Sequence, residues 1–486
     1  MGGGKNPLAL GVPYSAVEYR CGTTRRRRTR GVLEILCAIG LVVGWFHCGE
    51  VGNKMLPGEV GVLRAGLTQT FHRIRGGSHN RVELGGIPKE IADDYSEYEH
   101  YNSVLNSFKL YQNHMEEEIS RRNRSYHKLS SVHKGYLPQG AQSLPSKLNV
   151  LKKLIRANKI FLDNTVEGLR PRTVKCGSPY VAEILSSAHP NATLSNATNC
   201  ATVEPPGETS LPENIDKVVG TLHLLARDWS WKGEAERNQS YGAILQELLK
   251  RKPVTSENRN RQKVLIPGVG LARLMFDCCM LGYNTEGNEF SYQLLLATNF
   301  ILNGGLRKEQ FAIFPWIDNP SNHITSASMM EPFWIPDVDM AEMIQTAKDK
   351  STSCNPPMMS MTGGEFVKIY SKPRQTEQWD AVISCFFLDA APNPIEYIET
   401  IYQLLKPGGI WINFGPLTYH WQTGSVEDDS RFGETLELTL EEILHVSSNI
   451  GFRCVNGPFW QECTYASSAT SMQPTFYNAT IFTLQK

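Results

Sequence analysis

Apolar and polar positions recur along this chain with two periods, and the change falls near residue 260. Upstream, KEIADDYSEYEHYNSVLNSFKLYQNHMEEEISRRNRSYHKL places Tyr98, Tyr101, Leu105, Phe108, Tyr111 and Met115 at helical spacing with charges between them. A second helical run, KLNVLKKLIRANKIFLDNTVEGL, follows the break between Pro138 and Pro145. A third, NIDKVVGTLHLLARDWSWKGEAERNQSYGAILQELLKR, begins after residues 170–213, where Pro, Ser, Thr and Asn accumulate as in a surface insertion. Arg227, just past the apolar part of that run, reads locally as a helix-terminal ion-pair residue.

From Lys263 the pattern becomes short apolar runs separated by helices. Val264, Leu265 and Ile266 predict a strand, Gly268 and Gly270 a turn, Leu271, Leu274, Met275 and Cys278 a helix, and a second strand ends at Glu289. A third strand is expected at Glu365–Tyr370 after Gly363 and Gly364, and a fourth in WDAVISCFFLD, Trp379–Asp389. A helix over Ile395–Leu405 then ends at Lys406-Pro407-Gly408-Gly409, with Gly in the cap region. A strand running to Tyr419 and His420, a helix over Glu437–Asn449, a strand after Gly451 and a last strand, FYNATIFTLQK, complete the pattern. The fold class is α/β: a mostly parallel sheet closed by an antiparallel hairpin, which suits a class I methyltransferase better than a dehydrogenase. The segments FPWIDNPSN and FWIPDVD, rich in Pro and aromatic residues, read as site loops rather than core strands.

Charge changes the picture at the N-terminus. The 49 basic and 49 acidic side chains of the 486 residues cancel, so nothing global points to a nucleic-acid partner. Arg25, Arg26, Arg27, Arg28 and Arg30, however, crowd just before the apolar run at 32–48, VLEILCAIGLVVGWFHC. A one-sided arginine cluster beside such a run predicts a single-pass membrane anchor with the arginines cytoplasmic. A buried or interfacial helix and a targeting peptide are the alternatives. The resulting organisation is a basic tail at 1–30, an anchor at 31–49, a linker at 50–88, a helical domain at 89–260 and an α/β domain at 261–486. Everything after the anchor would be luminal, which would expose the sequons at Asn123, Asn191, Asn196, Asn238 and Asn478. About three such triplets arise by chance in a chain this long. The eleven cysteines show no CxxC spacing, so no metal site is expected, and Cys176 with Cys200 is the one candidate pair.

Candidate chemistry gathers around the first α/β unit. Only Gly lets backbone N–H groups leaving a parallel strand approach a ligand closely, which makes Gly268 and Gly270 the cofactor-turn residues. Glu289, roughly 20 residues on at the tip of the second strand, is placed to accept from the two hydroxyls of a ribose. Arg273 stands where a dinucleotide fingerprint has its third small residue. An ordinary tight turn is the alternative to an adenosine-type ligand. Glu365 and Phe366 would flank an adenine, or else are an edge Glu and a core Phe. Asp389 ends an apolar strand at the carboxyl edge of the sheet, where open α/β folds bind ligands.

PGVGLARL with MLGY and GNEFS, then WDAVISCFFLDAAPN, LKPGGIWINFGPLTYH and the upstream ARDWS together resemble the carnosine N-methyltransferase family. The likeness covers roughly residues 90–486 and breaks at 170–213. It implies a Rossmann-like class I methyltransferase with a seven-stranded sheet. The implied reaction moves a methyl group from S-adenosyl-L-methionine to the imidazole of a histidine-containing dipeptide, carnosine giving anserine. Arg227, Gly268, Glu289, Glu365 and Phe366 then resemble cofactor contacts, and Phe386, Asp389, His420, Tyr465 and Tyr477 substrate contacts. The chain departs from the family pattern at Glu365, where Asp is usual, and at Leu224, where a Gln is usual.

Chemistry agrees with that likeness. A neutral imidazole is already nucleophilic, so the site must hold it in line with the methyl group. Asp389 would accept from the second ring N–H and stabilise the developing imidazolium, His420 would relay that proton or grip the substrate carboxylate, and Phe386 would stack on the ring. The expected partner is a small-molecule or peptide imidazole and the expected assembly a homodimer. Two rivals remain: a nicotinamide-dependent oxidoreductase and an inactive anchored scaffold. S-adenosylmethionine is made in the cytosol, whereas the arginine cluster points to a luminal catalytic domain. Import, the opposite insertion, or a run that does not span and leaves the chain cytosolic would each reconcile the two.

Overall fold

The computed structural model of the protein describes residues 89–167, 211–340, 342–343, 358–422 and 430–486. The basic tail, the apolar run at 32–48, the linker, Cys176, Cys200, Asn191 and Asn196 lie outside the described residues. Among the described residues no helix is long and apolar enough to cross a membrane.

The helical part begins with α1 (Lys89–His127), α2 (Ser131–Tyr136) and α3 (Leu144–Glu167). It continues with α4 (Leu211–Trp229) and α5 (Glu234–Arg251). Val104, Phe108, Tyr111, Met115 and Ile119 line one face of α1 at spacings of three and four, so a single stripe is buried. That stripe shares a core with Leu148, Leu151 and Ile155 of α3 and with Val218, Leu222 and Leu225 of α4. Asn158 crosses this core with its hydrogen bonds satisfied: Nδ2 donates to Tyr111 Oη and to Phe314 O, both at 2.9 Å, and Oδ1 accepts from Phe314 N at 2.7 Å.

The α/β part opens with β1 (Lys263–Pro267), α6 (Arg273–Leu281), β2 (Asn284–Glu289) and α7 (Tyr292–Asn303). Next come β3 (Phe311–Ile313), α8 (Ser326–Met329), β4 (Phe333–Ile335), β5 (Met359–Gly363) and α9 (Phe366–Tyr370). The chain ends with β6 (Trp379–Cys385), α10 (Pro394–Leu404), β7 (Leu405–Gly415), α11 (Leu440–Ile450), β8 (Arg453–Thr464) and β9 (Phe476–Gln485).

Seven strands form one sheet in the order β5-β2-β1-β6-β7-β9-β8. The pairings from β5 through β7 are parallel, whereas β9 runs antiparallel to both β7 and β8. A strand inserted antiparallel near the end of an otherwise parallel Rossmann-like sheet is the methyltransferase arrangement expected from the sequence. α7 packs with the helical part on one face of the sheet. α9, α10 and α11 cover the other, over Leu265, Val382, Trp411 and Phe482.

Three local expectations are corrected. The third strand is Met359–Gly363, one segment earlier than Glu365–Tyr370, which is helical. Glu365 decides this: its carboxylate accepts from Val367 N at 2.9 Å and Lys368 N at 2.7 Å, capping the amides that a new helix leaves unpaired. Lys406–Gly409 lies inside β7 rather than capping α10, because Leu405 already pairs with Trp379 and its own N–H closes the helix on Ile401 O. Phe333–Ile335 of FWIPDVD forms a strand, in an antiparallel pair with β3 separate from the main sheet.

Candidate functional site

β1, β2, β5, β6 and β7 run in the same direction, so their carboxyl ends share one edge. The antiparallel register that sets Gly415 opposite Thr480 brings the start of β9 to that edge, and β8 ends there at Thr464. The chain leaves β1 for β2 on one side and finds β6 on the other, which makes the crevice above β1 the topological switch point. Glu289 is the last residue of β2, whereas two other strands end earlier than the sequence suggests: β6 stops at Cys385, with Asp389 in a 3-10 turn at Leu388–Ala390, and β7 stops at Gly415, before Tyr419 and His420.

On the β1–β2 side the two turn glycines have different reasons to be glycine. Gly268 has φ +62°, and a Cβ there would be driven into the Phe387 ring; Gly270 has φ +59°, and a Cβ there would meet nothing within 4 Å. The first is fixed by packing and the second faces open space, where a ligand can approach. Glu289 ties the turn to β2: Oε2 accepts from Gly270 N at 2.9 Å, and Oε1 from Phe290 N and Ser291 N, both at 2.8 Å. Of the roughly four lone-pair directions of a carboxylate, three are taken by backbone donors, which leaves one open, on Oε2. Burial raises the Glu289 pKa above the usual glutamate value, opposed by the three backbone donors.

Glu365 sits at the same edge, after β5, with both carboxylate oxygens engaged in the helix cap. Phe366 points away from the edge: its ring is 2% exposed and packs edge-on against Phe387 and Tyr397. The aromatic ring that does stand beside the turn is Phe290, 56% exposed and directly after Glu289. The Arg431 guanidinium lies 5.5 Å from its centroid and 4.4 Å from that of Trp421. Sequence reasoning missed Phe290, although an apolar aromatic just past a strand-end acid was its available signal.

The β6–β9 side carries an aromatic cluster. Phe386 adopts φ +51° as it leaves β6, and its N–H donates to Phe414 O at 2.8 Å. Its ring centroid lies 4.5 Å from Tyr465 and 5.7 Å from Tyr477. Burial pushes the Tyr465 pKa up against the opposing Arg227 charge, so Tyr465 is a neutral phenol at neutral pH. Asp389 is buried, and its Oδ2 accepts from Thr418 N at 3.0 Å and Thr418 Oγ1 at 2.7 Å. Its Oδ1 accepts nothing among the described residues. His420 N donates to Asp389 O at 3.0 Å, so backbone and side chain of Asp389 together pin the loop after β7, with the imidazole exposed.

Arg227 joins this cluster from the helical part. Its guanidinium lies 4.5 Å from the Tyr465 ring centroid and 5.3 Å from that of Tyr241. Nε donates to Asp228 Oδ1 at 2.7 Å, and Nη2 to Asp228 Oδ2 at 3.3 Å and to the Tyr241 hydroxyl. Burial alone would lower its pKa, but the Asp228 charge holds it well above the usual arginine range. Arg227 is therefore a permanent cation at the edge of the cluster. Leu224, one turn earlier, packs on the hydrophobic core and supplies no polar contact. Arg273 is likewise accounted for: Nη1 donates to Asp228 O at 2.9 Å and to Asp337 Oδ1 at 2.6 Å, and Nε to Asp277 at 3.0 Å.

Known proteins are similar to this chain in sequence. A family model described as Carnosine N-methyltransferase matches residues 207–486. Carnosine N-methyltransferase of Rattus norvegicus is 32% identical over 392 residues, spanning 80% of this chain and 86% of that protein. The protein of the same name from Schizosaccharomyces pombe is 30% identical over 391 residues, spanning 79% of this chain and 95% of that one. Drosophila melanogaster Carnosine N-methyltransferase unmet is 33% identical over 277 residues, 57% of this chain and 56% of its own. With its methyltransferase sheet, its strand-edge site and this breadth of similarity, the chain belongs to the carnosine N-methyltransferase family.

Proposed function

We propose that this chain is an S-adenosylmethionine-dependent N-methyltransferase whose acceptor is the imidazole of carnosine. Family membership supports the reaction class, and the observation that carries the acceptor is the cluster of Phe386, Tyr465 and Tyr477 at the sheet edge where Asp389, three residues after Phe386, keeps one carboxylate oxygen open. The cofactor fits on the β1–β2 side, where open space over Gly270 adjoins the free Oε2 direction of Glu289 and the exposed ring of Phe290. Gly268, Gly270 and Glu289 would hold the ribose side, Phe290 and the loop at Glu365 and Phe366 the adenine side, and Arg227 the end nearest the acceptor. Bound there, S-adenosylmethionine supplies a methyl group carried on a sulfonium.

The chain's own residues supply position and charge. Phe386, Tyr465 and Tyr477 offer flat apolar faces that hold an imidazole in one plane and exclude water. Asp389 Oδ1 accepts the N–H of the non-reacting ring nitrogen, which fixes the tautomer with the other nitrogen's lone pair free. As positive charge grows on the ring, the Asp389 carboxylate stabilises it without moving, because Thr418 already holds Oδ2. His420, on the exposed rim beside Asp389, is placed to take that proton to solvent or to meet the substrate carboxylate. Incubation of the full chain with methyl-labelled S-adenosylmethionine and carnosine tests the reading. Label on the imidazole is the expected result; label on the β-alanyl amine, or none, would overturn it.

We also propose that the run at 32–48 anchors the chain as a single-pass membrane protein. Its support is the apolar length and the one-sided arginine cluster. In cells, alkaline carbonate should leave the full chain in the membrane pellet, and a glycosidase-sensitive shift should appear if the catalytic part is luminal. Release by carbonate would refute the anchor.

A further inference from the structure

We infer that Asp337, outside the strand-edge site, is a positioning residue for Arg227. The inference rests on the reading of Arg227 as a cofactor contact. Arg227 is the third residue from the end of α4, where the carbonyls of a helix lose their intrahelical partners. Each carbonyl there has a named replacement. Ser230 Oγ donates to Ala226 O at 2.5 Å, Arg237 Nη1 to Arg227 O at 2.6 Å, Arg273 Nη1 to Asp228 O at 2.9 Å, and Asp337 N to Trp229 O at 2.8 Å. Arg237 Nη1 also reaches Ser230 O at 2.7 Å.

Asp337 holds both arginines in place. Its Oδ2 accepts from Arg237 Nη2 at 2.7 Å and its Oδ1 from Arg273 Nη1 at 2.6 Å, with all three side chains at most 10% exposed. Arg273 belongs to the helix after the glycine turn, Arg237 to α5, and Asp337 follows β4. Three separate elements are thus fixed to the backbone that aims Arg227. Gly233 allows the close fit, since a Cβ there would collide with Arg227 O. With Asp228 and Asp277, Asp337 balances Arg227, Arg237 and Arg273, so loss of its charge leaves three buried guanidiniums with two carboxylates, Arg273 keeping Asp277 and Arg237 losing its only ion-pair partner among the described residues.

Asp337 touches neither the aromatic cluster nor the glycine turn, and a merely structural role would affect binding without regard to Arg227. A double-mutant cycle separates the two, because residues that act through one another are non-additive. The readout is calorimetric affinity of the full chain for S-adenosylhomocysteine, measured for wild type, Arg227→Ala, Asp337→Asn and the double variant. About a tenfold loss is expected for Asp337→Asn in the wild-type background, and less than twofold further loss in the Arg227→Ala background. Arg237→Lys, which keeps the charge but loses the forked reach to Arg227 O and Ser230 O, should behave alike and takes the place of Asp337→Asn if that variant does not fold. Equal losses in both backgrounds, or affinities within twofold of wild type for Asp337→Asn and Arg237→Lys, would overturn the inference. An unaffected Arg227→Ala would remove its basis, whereas no binding by folded wild type would instead refute the cofactor assignment itself.

Discussion

The guanidinium of Arg227 lies over the ring of Tyr465 at 4.5 Å, and Phe386 meets that ring at the same centroid distance. One aromatic residue therefore couples the cation of the helical part to the acceptor cluster of the sheet. Tyr465→Phe should keep the contact and change the KM for either substrate by less than about threefold, because the ring face carries the attraction. Tyr465→Leu should lose about 0.5–2 kcal/mol of it and raise the KM for carnosine and for the methyl donor together. Steady-state kinetics with each substrate varied in turn would check this, and a rise for one substrate alone would place Tyr465 on one side only.

The two turn glycines should separate in a stability assay. Gly268→Ala combines a left-handed backbone with overlap into the buried Phe387 ring and should cost about 2–4 kcal/mol. Gly270→Ala carries the backbone penalty alone, about 1–2 kcal/mol, but intrudes on the open space above the turn. Urea unfolding should therefore rank Gly268→Ala as the less stable, while S-adenosylhomocysteine affinity should fall in folded Gly270→Ala.

Glu289 gives the site a pH dependence. Burial raises its pKa above the usual glutamate value, so the folded chain keeps this proton to higher pH than the unfolded chain does. The stabilisation from the protonated form is full below the unfolded value and is lost as pH rises through the folded one. Cofactor affinity runs the opposite way, because the ionised carboxylate is the stronger acceptor. Affinity for S-adenosylhomocysteine should weaken on acidification with a midpoint above the usual glutamate range, and Glu289→Gln should be weaker at neutral pH and flat across that window.

Much of the sheet is readable from the chain because β1, β6 and β7 are apolar runs buried on both faces. The third strand was misplaced because Met359–Gly363 lacks β-branched residues apart from Thr362, whereas Glu365–Tyr370 has the composition of a strand and becomes helical only through the Glu365 cap. Arg273 looked like a flaw in a glycine fingerprint. Its partner Asp337 is 64 residues away, and no local pattern could pair them. For Phe366 the sequence allows an adenine contact or a core ring, and the ring packs in the core, whereas Phe290, directly after Glu289, is exposed.

Asp389, in the function proposed here, acts on the acceptor and not on the methyl donor. The measurement is turnover of carnosine by Asp389→Asn and wild type, with S-adenosylhomocysteine affinity taken on the same samples. The substitution keeps an oxygen for Thr418 and removes the charge that would face the imidazolium in the proposed reaction. Turnover should fall roughly a hundredfold or more while cofactor affinity stays within about twofold. Retained turnover, or a parallel loss of cofactor binding, would contradict the account.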